Sequence, residues 1–309
     1  MTLITTTAQP ASQKTTKVAI LHPYEKDCLI AGVLEQVEPG QPTQGRRISL
    51  ILHGSLGHKD YLFQKRLALR LPMDSFRFDF RGNHETPGPL LFGRFTNDLL
   101  DLEVVIEYLT QQLGYVIDML VGHSRGSVVS LMYLCKHREG AAKDVTRFVN
   151  VSGRYRMEKI YSDMELHKAE IESQGFYLRR ATVARKPIVI KVTRADYDEF
   201  ASIDTSIAWD QFPAHIDVLT IQGLKDAVVP PYDAVIWARA FGARSPGTHT
   251  LRYVEEADHN FTGMPEEVVD TVLEWLPQQE RQGLRTGLWH TGVKDADCGR
   301  NTRGQTSML

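Results

Sequence analysis

The stretch Gly122-His123-Ser124-Arg125-Gly126 has the pattern G-x-S-x-G. An apolar run, Val116-Ile117-Asp118-Met119-Leu120-Val121, leads into it, and Ser127-Val128-Val129-Ser130-Leu131-Met132-Tyr133-Leu134-Cys135 leads out. The first has the composition of a strand and the second the content and length of a helix. A serine held on a sharp strand-to-helix turn is an exposed nucleophile, and glycines flank it because larger side chains would clash in that turn. A pattern this short arises by chance in roughly one chain of this length in ten. The reading therefore rests on whether the remaining chain supplies a base, an acid to orient the base, and donors for an oxyanion.

Working outward, Lys17-Val18-Ala19-Ile20-Leu21 and Cys28-Leu29-Ile30-Ala31-Gly32-Val33-Leu34 read as two strands of a hairpin. Ile48-Ser49-Leu50-Ile51-Leu52 is a short apolar strand that runs into His53-Gly54-Ser55-Leu56-Gly57, and a helix follows over residues 61–71. Phe76-Arg77-Phe78-Asp79-Phe80 alternates as a strand and ends in Arg81-Gly82-Asn83. Residues 97–113 form a helix with Leu99, Leu102, Val105, Ile106 and Leu109 as its apolar stripe, closed by Gly114. Beyond the Ser124 unit, Arg147-Phe148-Val149-Asn150-Val151 is another strand. Residues 154–213 are charge-rich, show no strand–helix alternation and read as helices over 157–174, around 177–194 and over 197–212, an insertion placed to cap the site. Alternation resumes with Ile216-Asp217-Val218-Leu219-Thr220-Ile221-Gln222, a helix started by Pro230 and Pro231, the strand Thr248-His249-Thr250-Leu251-Arg252-Tyr253-Val254, and a helix over residues 265–276.

Such alternation predicts an α/β protein with a mostly parallel sheet and helices on both faces. Ligands of these sheets sit beyond the carboxyl ends of the strands. His53, Ser124, Asp226 and His259 each fall just after a predicted strand, so one sheet edge should gather them. Ser124 needs a base, and His259 in Asp258-His259-Asn260-Phe261 is the best placed. His84 and His123 lie on other segments, and His137 ends a helix. Asp226 is the acid that would fix the imidazole tautomer, because Asp258 adjoins His259 and neighbouring loop residues point apart. The backbone N–H of Arg125 supplies one oxyanion donor and that of Ser55 the second, with His53 pinning the Ser55 loop by hydrogen bonding. Gly54, Leu56 and His123 are candidate substrate contacts.

With these pieces in place the chain resembles the α/β-hydrolase superfamily, specifically its serine esterase, lipase and acyl-aminopeptidase-like members. The resemblance rests on His53-Gly54-Ser55-Leu56-Gly57, Asp79-Phe80-Arg81-Gly82-Asn83, Gly122-His123-Ser124-Arg125-Gly126, Gly223-Leu224-Lys225-Asp226 with Val229-Pro230, and Asp258-His259-Asn260-Phe261, across residues 18–276. It implies the α/β-hydrolase fold with a helical cap insertion. The order Ser…Asp…His is the one expected of that superfamily. It also implies hydrolysis of a carboxylic ester, thioester or amide through an acyl-enzyme, with no metal and no organic cofactor. Haloalkane dehalogenases and epoxide hydrolases carry Asp at the nucleophile, so Ser124 disfavours those activities. An acyltransferase or thioesterase on the same triad, and a ligand-binding protein that keeps the fold, are the alternatives. Ser127 stands where many relatives carry a second glycine. Arg125 stands where a small or apolar residue is common; a side chain pointing into the pocket would suit an acidic or polar acyl group.

The 309 residues suit one α/β domain with an insertion: a core over 17–153 and 214–278, the cap over 154–213, and disordered ends over 1–16 and 279–309. A net charge of −2 gives no field for nucleic acid or an anionic membrane, and no apolar run is long enough to span a bilayer. The expected partner is a small-molecule acyl substrate; the sequence does not fix an oligomeric state. Cys28, Cys135 and Cys298 are too scattered for a disulfide framework or metal spacing, which fits a reducing, cytoplasmic setting. The N-terminal segment lacks the basic and apolar regions of a secretory signal. The terminal Ser307-Met308-Leu309 resembles the peroxisomal Ser-Lys-Leu address, an alternative location.

Overall fold

The structure is a computed structural model that describes residues 13–280 and 286–290. Strands β1 (Lys14–Leu21) and β2 (Leu29–Gln36) pair antiparallel, as the hairpin reading expects. Then come β3 (Arg47–Leu52), α1 (Gln64–Arg70), β4 (Asp74–Phe78), α2 (Phe95–Glu107), β5 (Val116–His123), α3 (Arg125–Lys136) and β6 (Arg147–Val151). The insertion carries α4 (Tyr161–Glu165), α5 (Lys168–Gln174), β7 (Phe176–Val183), β8 (Lys186–Thr193) and α6 (Arg194–Ala201). The chain returns through β9 (Asp217–Gly223), α7 (Tyr232–Gly242), β10 (His249–Val254), α8 (Pro265–Glu280) and β11 (Gly287–His290).

Among the described residues the main sheet has nine strands in the order β1-β2-β4-β3-β5-β6-β9-β10-β11. Only the β1–β2 and β2–β4 pairs in it are antiparallel. Its central strands read as near-continuous apolar runs because both faces are covered. Alternate side chains go to opposite layers. Leu50, Leu120, Phe148 and Val218 join the core under α2, α3 and α7, with Leu102, Val129 and Phe241. Ile51, Val121, Val149 and Leu219 join the core under α1 and α8, with Leu67, Val272 and Trp275. The stripe expected on α2 is buried as far as Leu109, where the helix passes into a π turn, Tyr108–Gln112.

Three readings of the sequence are corrected. The segment around residues 177–194 is not helical: β7 and β8 form an antiparallel hairpin, so the insertion is mixed rather than wholly helical. Its two-residue turn is Ala184-Arg185, both with positive φ, and neither residue type announces such a turn. The helix expected over 157–174 is broken into a 3-10 turn, α4 and α5, and that expected over 197–212 is α6 followed by a 3-10 turn at Ser206–Ala208. The ends are also less irregular than expected. β1 begins at Lys14, and β11 adds to the sheet edge beside β10, where the Thr286 hydroxyl accepts the His249 N–H at 3.2 Å. Residues 1–12, the rest of the tail, and with it Cys298 and Ser307-Met308-Leu309, lie outside the described residues.

Candidate active site

The turn after β5 is as sharp as the motif requires. Ser124 has φ 50° and ψ −113°, a conformation that costs a non-glycine residue energy and is held only where the surroundings dictate it. Those surroundings are backbone. A Cβ on Gly122 would lie 2.4 Å from the Ser127 nitrogen, and one on Gly126 2.7 Å from the His53 carbonyl oxygen. The Ser127 hydroxyl donates to the Gly122 carbonyl at 2.7 Å, so the residue in place of a second glycine ties the two limbs of the turn.

The parallel sheet brings the distant strand ends to this point. The Ser124 hydroxyl donates to His259 Nε2 at 3.0 Å, and His259 Nδ1–H donates to Asp226 Oδ2 at 2.8 Å. Asp226 is buried, and its other oxygen accepts the N–H groups of Val228 (2.8 Å) and Val229 (2.7 Å), while Gln222 Nε2 donates to Oδ2 at 2.9 Å. These donors fix the carboxylate in place facing the imidazole. Asp258 turns away, its Oδ1 accepting the N–H groups of Asn260 and Thr262 at 3.0 and 2.9 Å. Burial pushes its pKa up, but these donors outweigh that and hold it below the usual value.

His123 and Ser152 brace the base from behind. His123 Nε2–H donates to the His259 carbonyl at 3.0 Å and the Ser152 hydroxyl donates to the same oxygen at 3.1 Å. His53 does what its position suggested: Nδ1–H donates to the Gly54 carbonyl at 2.8 Å and Nε2 accepts the Phe80 N–H at 3.1 Å, joining the loops after β3 and β4. Burial lowers the His53 pKa to about 4, and burial together with the neighbouring His259 lowers that of His123 to about 3, so both are neutral.

A cavity of about 210 Å³ opens over Ser124. Gly54, Ser55, Leu56, His123 and His259 all line it. Its remaining wall is mainly apolar, with Phe80, Leu90, Phe92 and Phe95 from the core and Met157, Ile160, Ile190 and Phe200 from the insertion. The backbone N–H groups of Arg125 and Ser55 have no hydrogen-bond acceptor among the described residues. That of Arg125 opens α3, where the helix dipole favours negative charge.

Sequence reasoning missed how Arg125 is held. Its buried guanidinium pairs through Nε with Asp98, donates to the Phe92 carbonyl at 2.6 Å and lies 4.1 Å over the Phe95 ring. It is thus committed to the wall and does not reach into the cavity as a free cation. Burial, outweighing Arg125, raises the Asp98 pKa to about 6. Lys59 was missed as well. It is buried, and its ammonium bonds Asp79 at 2.6 Å and Glu85, so the loop after β3 is pinned to the Asp79 segment. Asp79, His84 and Glu85 cluster closely enough to hold a metal ion, but the Lys59 ammonium already occupies both carboxylates. Among the described residues no helix is long and apolar enough to cross a membrane.

Comparisons with known proteins bear on the family and the fold. A family model described as the alpha/beta hydrolase family matches residues 50–271. The uncharacterized Saccharomyces cerevisiae protein YDL057W is 28% identical over 243 residues, 71% of this chain and 70% of the yeast protein. Est1E from Butyrivibrio proteoclasticus, solved with ferulic acid bound, has a similar structure with a TM-score of 0.65 at 16% identity, over 85% of this chain and 99% of that one. The Pyrococcus furiosus esterase Pf2001 gives a TM-score of 0.60 at 16% identity over 86% and 90%. The mouse alpha/beta hydrolase domain-containing protein 10 gives 0.58 at 15% over 85% and 99%.

Proposed function

Because the chain belongs to the α/β hydrolase family, we propose that it is a serine hydrolase that cleaves a carboxylic ester of a small or medium-sized acyl substrate through an acyl-enzyme. The observation that carries this reading is the continuous relay from Asp226 through His259 to Ser124 at the floor of the cavity. Ser124 Oγ attacks the ester carbonyl and its proton passes to His259 Nε2. The oxyanion is received by the N–H groups of Arg125 and Ser55. The carbon–oxygen ester bond then breaks and His259 returns the proton to the leaving alkoxide. Water, deprotonated by His259, attacks the acyl-enzyme and releases the acid. Asp226 stays ionised throughout and stabilises the imidazolium. The insertion over residues 154–213 acts as a cap: its apolar side chains complete the cavity and exclude water from the charged intermediate. The esterases among similar folds support the ester reading.

A fluorophosphonate probe tests it. Wild-type protein is expected to be labelled with one equivalent and to hydrolyse simple acyl esters, and Ser124→Ala to do neither. Folded wild-type protein that resists the probe and hydrolyses no member of an ester and thioester panel would overturn it.

A further inference from the structure

Arginines buried in a folded chain are expected to have a carboxylate partner, because an unpaired guanidinium away from water is costly. Arg77 pairs with Glu35, Arg81 with Asp101, Arg125 with Asp98 and Arg147 with Asp118. Arg154 is as buried as Arg125 and Arg147, at 8% exposure, yet makes no ion pair among the described residues. Among those residues its side chain makes one hydrogen bond, from a terminal nitrogen to the Val228 carbonyl at 2.6 Å. The carboxylates around it are already engaged. Asp226 holds His259, Asp233 holds the Arg156 side chain and two backbone N–H groups, and Asp163 holds Tyr197 and faces Arg179. Burial lowers the Arg154 pKa against the pull of those acids, as expected of a cation short of a close counter-charge.

Arg154 also lines the cavity over Ser124. The other arginines of that wall are paired: Arg94 with Glu199, Arg179 with Asp163, Arg81 with Asp101 and Arg125 with Asp98. The cavity therefore has a mainly apolar wall and, among the described residues, one guanidinium without a carboxylate partner. A planar guanidinium fork matches a carboxylate in two parallel hydrogen bonds.

We infer that Arg154 is the specificity anchor of the site and that the substrate is an ester with an apolar body and a free carboxylate, which docks on this guanidinium while its ester lies over Ser124. The inference rests on the serine hydrolase reading of the same cavity. The carboxylate can sit on the acyl side, as in a dicarboxylic half-ester, or on the alcohol side, as in an acylated hydroxy acid; the same fork recognises both.

Two matched ester pairs separate these sources: monoethyl glutarate against ethyl valerate, and the valerate ester of 4-hydroxybutyrate against butyl valerate. Wild-type protein is expected to favour the charged member of at least one pair by about 10- to 100-fold in kcat/KM, the range of a charge-assisted hydrogen bond. Arg154→Met should abolish that ratio, through KM more than kcat, and Arg154→Lys should restore part of it. Wild-type indifference to charge in both pairs overturns the inference, as does an equal loss on both members in Arg154→Met, which would mark a clamp on the Val228 loop. The wild-type comparison stands even if Arg154→Met fails to fold. Labelling of Ser124 by a fluorophosphonate distinguishes the two levels: an unlabelled protein sinks the hydrolase reading, and a labelled protein indifferent to the carboxylate sinks only this one. Independently of turnover, monoethyl glutarate should raise the melting temperature of Ser124→Ala more than ethyl valerate does, and lose that advantage when Arg154→Met is added.

Discussion

Ser124 is the residue on which the proposed chemistry turns, and its φ of 50° bends the backbone at the end of β5. Ser124→Ala and His259→Ala should each lower kcat by about 10⁴- to 10⁶-fold, and the double variant should lose little more, since the pair acts as one unit. Multiplying losses in the double variant would mean that the two residues do not share a step. Asp226→Asn keeps the shape but permits the wrong imidazole tautomer, so a loss of about 10⁴-fold is expected, measured as kcat on a simple ester. These three residues were legible in the sequence because a parallel sheet gathers its strand ends, so position after a strand stands in for proximity. The choice of Asp226 over Asp258 follows the same logic, and the structure adds the reason that Asp258 is occupied by its own loop. The partners of Arg125 and Arg154 were not legible. Asp98 lies 27 positions from Arg125 in the chain, and the engagement elsewhere of every acid around Arg154 is a property of packing that no local pattern encodes.

At the scale of elements, the strand–turn–helix at Ser124 is built by steric exclusion. Gly122→Ala would drive a methyl group into the Ser127 backbone nitrogen at 2.4 Å. A stability loss of about 3 kcal/mol is expected in urea unfolding, with activity falling as well. A fully active, equally stable variant would show that the turn can relax. The wall beside it depends on Asp98 and Arg125, one from α2 and one from α3. Asp98→Asn leaves Arg125 buried without its counter-charge and should cost about 3–5 kcal/mol, a loss that the further change Arg125→Met should largely relieve; additive losses would contradict the pairing. The regular elements of the core were readable because their apolar periods are strong, as in the α2 stripe. The β7–β8 hairpin was not, since charged exposed residues interrupt it and Ala184-Arg185 replaces the Gly or Asn that usually marks such a turn. The alternation of Ile188, Ile190 and Val192 was the signal that could have revealed it.

Across the whole molecule, several buried histidines are held neutral. Burial lowers the pKa of His53 to about 4, and that of His249, helped by Arg244, to about 3; burial and His259 do the same for His123, also to about 3. In the unfolded chain these groups titrate near 6.5. Their contribution to stability is therefore complete above that pH. It is lost as the pH falls through the window from 6.5 towards 4 and 3, because the unfolded chain takes up the protons first. Each should remove about 1 kcal/mol per pH unit in that window, so the urea midpoint at pH 5 should lie well below that at pH 7.5. Equal midpoints would mean that these histidines are not neutral in the fold. This acid sensitivity belongs to the scaffold, two of its histidines bracing the loops that carry Ser55 and His259. The central claim is that Ser124 carries the acyl group, and acid-quenched mass spectrometry during turnover of a slowly deacylating ester tests it most directly. The account predicts the acyl mass on the peptide containing Ser124 and its absence in Ser124→Ala; an acyl group on any other residue, or turnover that survives in Ser124→Ala, would contradict it.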